Sequence, residues 1–217
     1  MATITTIEAQ KRNPKCANIY LDGEYAFSLT LIEAAKLHKG QTLTDAEIRA
    51  LCEADQITRA IDQTARLLAY RPRSTEEVRQ NLAKKKFSAA VIAAALARLQ
   101  TLEYLDDTAF ARYWLENRQT FKPRSPTALR YELRQKGVAE DIIDAVLSDI
   151  DVSAAAYQAA LSKARRLRRL DRPTFRQKLG GFLQRRGFAY GVTLAVVQQV
   201  EQELVAEDPD FFADTEA

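Results

Sequence analysis

The sequence predicts a mainly α-helical protein: three tandem three-helix-bundle repeats in an elongated or curved array, with a small N-terminal β-hairpin or sheet plus helices. Three observations carry this prediction. The composition is helix-forming: 217 residues, 47% hydrophobic, contain only 7 Gly and 6 Pro. Ala, Leu, Glu, Gln, Lys and Arg abound, and they lose little rotamer freedom in a helix. A fixed period runs through the chain, with Pro72, Pro123 and Pro173 separated by 51 and 50 residues. Helix-start and helix-stop residues then fall at the boundaries this period sets.

The N-terminal segment, residues 1–58, opens as a hairpin. Asn18–Leu21 and Glu24–Leu29 flank Asp22-Gly23, a dipeptide that supplies the positive φ of a two-residue turn. A strand over Thr3–Glu8 would widen the hairpin into a sheet, since a lone hairpin is marginal in water. A helix over Leu31–His38 is expected to cover it. Thr30 with Glu33 reads as a capping box there, and Gly40 as a stop. Thr44 with Glu47 opens a further helix, with Ile48, Leu51 and Cys52 at helical spacing.

The repeats follow: residues 59–105, 106–151 and 152–203, with an acidic, unstructured tail over 204–217. The period aligns Val78, Leu129 and Leu179; Leu82, Leu133 and Leu183; Phe87, Val138 and Phe188; Val91, Ile142 and Val192; and Leu96, Leu147 and Val197. Six matching positions including the prolines mark a true internal repeat. A unit of about 50 residues is longer than the two-helix arrays of about 33–34 residues, so it reads as three helices. Helix A precedes the proline (57–70, 107–118, 153–169). Helix B follows it (75–85, 126–136, 175–186), and helix C closes the unit (89–100, 140–148, 190–203). Ser74 with Glu77, and Thr174 with Gln177, read as capping boxes, and Ser125 as a cap before Pro126. Gly137 and Gly187 suit left-handed stops after helix B, where the first repeat has Lys86, so that either its turn differs or Lys86 accepts strain.

No catalytic, metal or cofactor constellation is present in the pattern, so an enzyme is not expected. His38 reads as a helix C-terminal cap, and Asp106-Asp107 as a helix start more than a metal site. Gly180-Gly181 lacks the residues of a phosphate loop and reads as a close helix approach or kink. Cys16 and Cys52 have no partner cluster and are expected to be buried apolar residues. No apolar run reaches the ~20 residues of a membrane span, and Met1–Gln10 lacks the pattern of a signal peptide. A cytoplasmic monomer is the expectation.

Charge is distributed unevenly. Residues 1–58 carry 6 basic and 8 acidic side chains, residues 59–200 carry 26 and 14, and residues 201–217 carry none and 7. A basic middle attracts a polyanion. The basic residues gather around the repeated prolines and on helix B: Arg71, Arg73, Arg79, Lys84 and Lys85; Lys122, Arg124, Arg130, Arg134 and Lys136; then Arg165, Arg166, Arg168, Arg169, Arg172, Arg176, Arg185 and Arg186. These are the candidate polyanion-binding residues, expected on one basic face. Phe121, Tyr131 and Phe175 near these clusters read as core, as do Phe87, Phe110, Trp114, Phe182 and Phe188. Base stacking is therefore not expected, and sequence-independent contact is.

Several runs together resemble one family. Leu67-Leu68-Ala69-Tyr70-Arg71-Pro72-Arg73-Ser74, with Glu77, Arg79 and Leu82, is similar to the first-repeat signature of RecX proteins. Leu105-Asp106-Asp107 with Phe110-Ala111-Arg112, then Lys122-Pro123-Arg124, Leu129-Arg130, Glu132-Leu133 and Lys136-Gly137-Val138, resembles the second repeat. Leu183 with Arg185-Arg186-Gly187-Phe188 resembles the third. Ser125 and Lys86 stand where the family often has Gly. The resemblance covers roughly residues 15–200. It implies binding in the groove of the RecA–single-stranded-DNA filament, inhibition of ATP hydrolysis and strand exchange, and so a part in recombination, DNA repair and the SOS response. The partners implied are the RecA filament and single-stranded and double-stranded DNA. A general DNA-binding helical protein acting without RecA is the alternative reading.

Overall fold

The computed structural model describes residues 1–213, which fall into two compact units that divide at Asp106/Asp107. In the first unit, β1 (Ala2–Ala9), β2 (Cys16–Leu21), β3 (Glu24–Thr30) and β4 (Thr42–Leu43) form an antiparallel sheet in the order β3-β2-β1-β4. Asp22 and Gly23 take φ of 50° and 92°, the two positive values the hairpin turn requires. The covering helix α1 is shorter than expected, Leu31–Ala34. Thr30 makes no side-chain cap there. Glu33 is instead buried, accepting hydrogen bonds from Thr58 and Lys36. The sheet gains its remaining cover from Ile48 and Leu51. His38 lies beyond the helix, its N–H donating to Gln41 Oε1, so it is not a helix cap.

Ile48 and Leu51 belong to α2 (Asp45–Leu68), which opens on the expected Thr44–Glu47 capping box. Two helices were expected across this stretch, and one forms. No Gly or Pro interrupts residues 45–68, so nothing ends the hydrogen-bond ladder. Asp55 on α2 is buried and accepts from the Thr30 N–H and Arg59 Nε, both at 2.5 Å, which ties the helix to the end of β3. With α3 (Thr75–Lys84) and α4 (Ala89–Thr101), α2 encloses the first repeat core: Ala60, Val78, Leu82, Ile92, Ala95, Leu96 and Leu99 among others. Lys86 does take a positive φ, 66°.

The second unit contains two more three-helix bundles. The first is α5 (Asp107–Phe121), α6 (Pro126–Gln135) and α7 (Glu140–Leu147) around Phe110, Leu129, Leu133, Ile143 and Leu147. The other is α8 (Val152–Ala164), α9 (Arg172–Arg185) and α10 (Tyr190–Glu207) around Phe175, Leu179, Leu183, Val197 and Val200. The positions aligned by the repeat are thus core positions: Val78, Leu129 and Leu179 are all buried, as are Leu82, Leu133 and Leu183. Each fully buried side chain of this size contributes about 1.5–3 kcal/mol.

Three expectations change here. Helix α8 stops at Ala164, followed by a 3₁₀ turn over Arg165–Leu167, and Arg169 has φ of 62°. Helix α9 starts before Pro173, because the Asp171 carboxylate accepts the Thr174 N–H at 2.8 Å. Asp is a strong cap and Pro is tolerated in the first turn, so the Thr174–Gln177 box is not used. The third change is in the acidic end. Helix α10 continues to Glu207, and Phe211 and Phe212 are buried, both edge-on to Phe175. Two Phe side chains outweigh the surrounding acidity. Arg169 N–H donates to the Phe211 carbonyl, and Arg168 pairs with Asp208 at 2.6 Å. Residues 214–217, the rest of the expected tail, lie outside the described residues.

Candidate nucleic-acid interface

The candidate basic residues separate into two classes once their neighbours are known. The first class is held by carboxylates. Arg71 donates to both oxygens of Glu77, and Arg79 pairs with Glu76. Arg130 pairs with Glu140 and Asp144, and Arg134 donates twice to Glu140. Hydrogen bonds from Arg134, together with those from Arg130, hold the Glu140 carboxyl below its ordinary range. Arg176 donates twice to Glu201, a buried carboxylate that Arg172 also approaches at 3.7 Å. Arg168 has Asp208. Lys136 and Arg118 lie over the Trp114 ring, at 5.1 and 4.4 Å. Arg73 is half-buried, with no hydrogen-bond partner for its Nε.

The second class forms no ion pair among the described residues: Lys84, Lys85, Lys122, Arg165, Arg166, Arg169 and Arg185, all exposed. Two of these seven, Lys122 and Arg185, flank a junction that the second unit builds from two repeats. Ser125 N–H donates to the Arg186 carbonyl at 3.1 Å, and Arg186 Nη1 donates to the Pro123 carbonyl at 2.8 Å. The turn between α5 and α6 is therefore docked on the turn between α9 and α10. Arg124 and Arg186 meet there, and Lys122 and Arg185 are their chain neighbours, the Arg185 guanidinium reaching back toward Gly181.

The geometry of this junction is tight and its charge is not balanced. Gly187 has φ of 89°, and a Cβ on it would lie 2.5 Å from Ser125 Oγ. Ser125 Oγ is already committed, accepting the Ala128 N–H that opens α6. Glu132 is the carboxylate shared below the turn. It accepts from Trp114 Nε1 and Arg118 Nε, each at 2.8 Å. Arg124 Nε lies 3.0 Å from its other oxygen, at an angle that makes an ion pair without a hydrogen bond. Arg186 forms no ion pair among the described residues. Burial, and then the neighbouring Arg124 charge, push its pKa below the ordinary arginine value. A guanidinium in that position remains charged and is stabilised by any anion that approaches.

Family models cover the chain in four consecutive pieces. "Regulatory protein RecX N-terminal domain" matches residues 2–44, and "RecX, first three-helix domain" matches 60–99. The second and third three-helix domains match 106–147 and 149–197. The Regulatory protein RecX of Bacillus subtilis is 33% identical over 208 residues, spanning 94% of this chain and 79% of its own length. The chain belongs to the RecX family of regulatory proteins. A further RecX, from Lactobacillus delbrueckii subsp. bulgaricus, is 35% identical over 211 residues, 95% of this chain and 76% of its own. A crystal structure of regulatory protein RecX superposes with a TM-score of 0.72 at 29% identity, covering 91% of this chain and all of that one. RecX from Lactobacillus salivarius, at 20% identity and a TM-score of 0.58, shares the fold.

In this RecX chain, sequence reasoning missed the carboxylates that neutralise helix B. A signal was available: Glu140 stands six residues after Arg134, in the first turn of the next helix. It also misplaced aromatics. Phe175 is core as expected, but Phe121 and Tyr131 are exposed. The double glycine does not bring helices together either. A Cβ on Gly180 would stand 3.8 Å from Thr193, an ordinary contact, and both glycines line a groove of about 410 Å³ beside Tyr190 and Leu194. Cys16 is buried and Cys52 half-buried, both free. No helix among the described residues is long and apolar enough to cross a membrane.

Proposed function

We propose that this protein modulates RecA, binding along the RecA–single-stranded-DNA filament and restraining its ATP hydrolysis and strand exchange. Membership of a family named for regulation supports the general role. The observation that carries the contact is the junction of Pro123–Ser125 with Arg186–Gly187, where Arg124, paired with Glu132, meets Arg186 of the next repeat, whose guanidinium is held by a backbone carbonyl. A phosphate backbone or an acidic protein edge satisfies such a cluster, and rigid docking of the turns removes most of the ordering penalty. Contacts repeated along a filament add through effective concentration, so each can be weak.

The test compares RecA alone, single-stranded DNA alone and the assembled filament as partners of the full chain. The filament is expected to bind most tightly, with RecA ATP hydrolysis slowed at substoichiometric protein. Lys122→Glu with Arg185→Glu is expected to weaken filament binding tenfold or more, with an unchanged circular-dichroism melt. ATP hydrolysis unaffected at every ratio refutes the regulatory reading. Equal affinity for bare DNA and filament would favour a DNA-binding protein acting without RecA.

A further inference from the structure

Two exposed aromatic rings occupy the same place in two repeats. Tyr70 is 86% exposed and Phe121 78% exposed. Each stands two residues before the repeated proline, at the end of helix A. Each is followed by the same sequence of types: a cation (Arg71, Lys122), the proline, an arginine (Arg73, Arg124) and a serine (Ser74, Ser125). The scaffold beneath each ring is fixed. Proline locks one φ, and both serines are buried caps that accept an N–H of the following helix. Single exposed apolar residues are ordinary. A large ring held in water at one repeat position, twice, beside a cation each time, is a pattern with a use. In the third repeat the corresponding position is Asp171, which caps α9 instead, so the feature belongs to two repeats.

We infer that Tyr70 and Phe121 are stacking platforms for unpaired bases of single-stranded nucleic acid, each acting within its own turn, with the exposed Lys122 contacting a phosphate beside Phe121. The inference rests on the reading that the basic turns meet DNA, and it adds that the bases themselves are touched. The surroundings favour a base over a protein side chain. Gln119, Thr120 and Lys122 beside Phe121 are exposed and polar, and Arg66, Ala69 and Pro72 beside Tyr70 are exposed. The polar neighbours of Phe121 in particular are unlike the contiguous apolar patch that a protein partner covers. A base needs only the π-face and a nearby positive charge, and it stacks without sequence preference. Duplex bases are already stacked on one another, so unpaired strands are the class of ligand.

The experiment uses the full chain with a labelled twenty-residue oligothymidylate and an abasic strand of equal length, which keeps the phosphates and lacks the bases. Tyr70→Ala and Phe121→Ala are each expected to weaken oligothymidylate binding about fivefold or more. Affinity for the abasic strand is expected to stay within about twofold, with an unchanged salt slope. Phe121→Trp is expected to keep the affinity, and its indole fluorescence to be quenched by oligothymidylate and not by the abasic strand. Equal binding of the two strands by the unmodified protein overturns the stacking inference. So does oligothymidylate binding that both alanine variants retain while Lys122→Glu with Arg185→Glu loses it, a result that leaves the cationic junction standing. Failure of the unmodified protein to bind either strand at low salt overturns the stacking inference and the premise that the basic turns meet DNA, while the ATP-hydrolysis assay decides the regulatory reading separately. Tyr70→Phe, which keeps the ring, is expected to bind as the unmodified protein does, and loss of binding in it would also count against stacking.

Discussion

Replacing Gly187 with alanine strikes the junction at its tightest point. The backbone there has φ of 89°, a left-handed conformation that costs a residue with a Cβ about 1–2 kcal/mol. The new Cβ would stand 2.5 Å from Ser125 Oγ and 3.0 Å from Ala128 Cβ. Both neighbours belong to the start of α6, so one must move. Displacing Ser125 disturbs its hydrogen bond with the Ala128 N–H, 3.1 Å long, a cap contributing about 0.5–2 kcal/mol. Forcing a methyl group into a filled contact adds about 1–3 kcal/mol. These effects share atoms and do not add in full, so the expected loss is about 3–5 kcal/mol. Urea unfolding followed by far-ultraviolet circular dichroism measures it. Gly181→Ala is the control. Its Cβ would meet only the movable Arg185 Nη1, at 3.3 Å, and a helix-interior alanine gains about 0.5–1 kcal/mol over glycine. Ser125→Gly in the Gly187→Ala background removes one side of the clash and is expected to recover about 1 kcal/mol. A loss below about 1 kcal/mol for Gly187→Ala would show that the two turns are not docked as described.

Lys86 holds a φ of 66°, so Lys86→Gly is expected to stabilise the first unit by about 0.5–1 kcal/mol in the same unfolding assay. Phe211→Ala removes a buried ring packed on Phe175 and is expected to cost about 3 kcal/mol, whereas an unstructured tail would show no change. Acid weakens the second unit in a stated direction. The Thr174 hydrogen bonds hold the Asp171 carboxyl below the ordinary aspartate value, and the bonds from Arg134 and Arg130 hold Glu140 below the ordinary glutamate value. Their stabilisation is complete above those ordinary values and lost as pH falls through the lowered native ones, so Asp171→Asn should flatten part of an acid-unfolding curve. In salt titrations of DNA binding, Lys122→Ala with Arg185→Ala should reduce the slope by about 2, and Arg130→Ala with Arg134→Ala by less than 1.

The fold was legible in the sequence because its signals are local and repeated. Capping residues at Thr44, Ser74 and Ser125, the Asp22-Gly23 turn and the recurring Leu and Val positions all act through neighbours a few residues away. The misreadings came where a contact distant in sequence decided the outcome. Glu33 left its capping role for Thr58, 25 residues on. Phe211 and Phe212 joined a core built around Phe175, against the acidic character of their own segment. For the site, the residue types were legible and their pairing was not. Arg130 and Arg134 share a helix face with like charges, which in isolation destabilises. The basic excess points to an external anion, and here Glu140 and Asp144 of the next helix supply the charge instead.

This changes what the basic middle of the chain means. An excess of cations counted along the sequence says nothing about where the excess stands. On the helix B face of the second repeat, two arginines meet two carboxylates, and an incoming phosphate must displace partners already in place. At the foot of the adjoining turn, Arg118 and Arg124 share Glu132 alone. Arg186, across the docked turns, forms no ion pair among the described residues and has a backbone carbonyl where a carboxylate would neutralise it. A carbonyl orients a guanidinium without cancelling its charge. The junction therefore keeps its surplus at a point fixed by Gly187 and Ser125, two residues that carry no charge themselves. Its electrostatics depend on their backbone geometry as much as on the arginines, and a change at either should weaken an anion contact without removing a single cation.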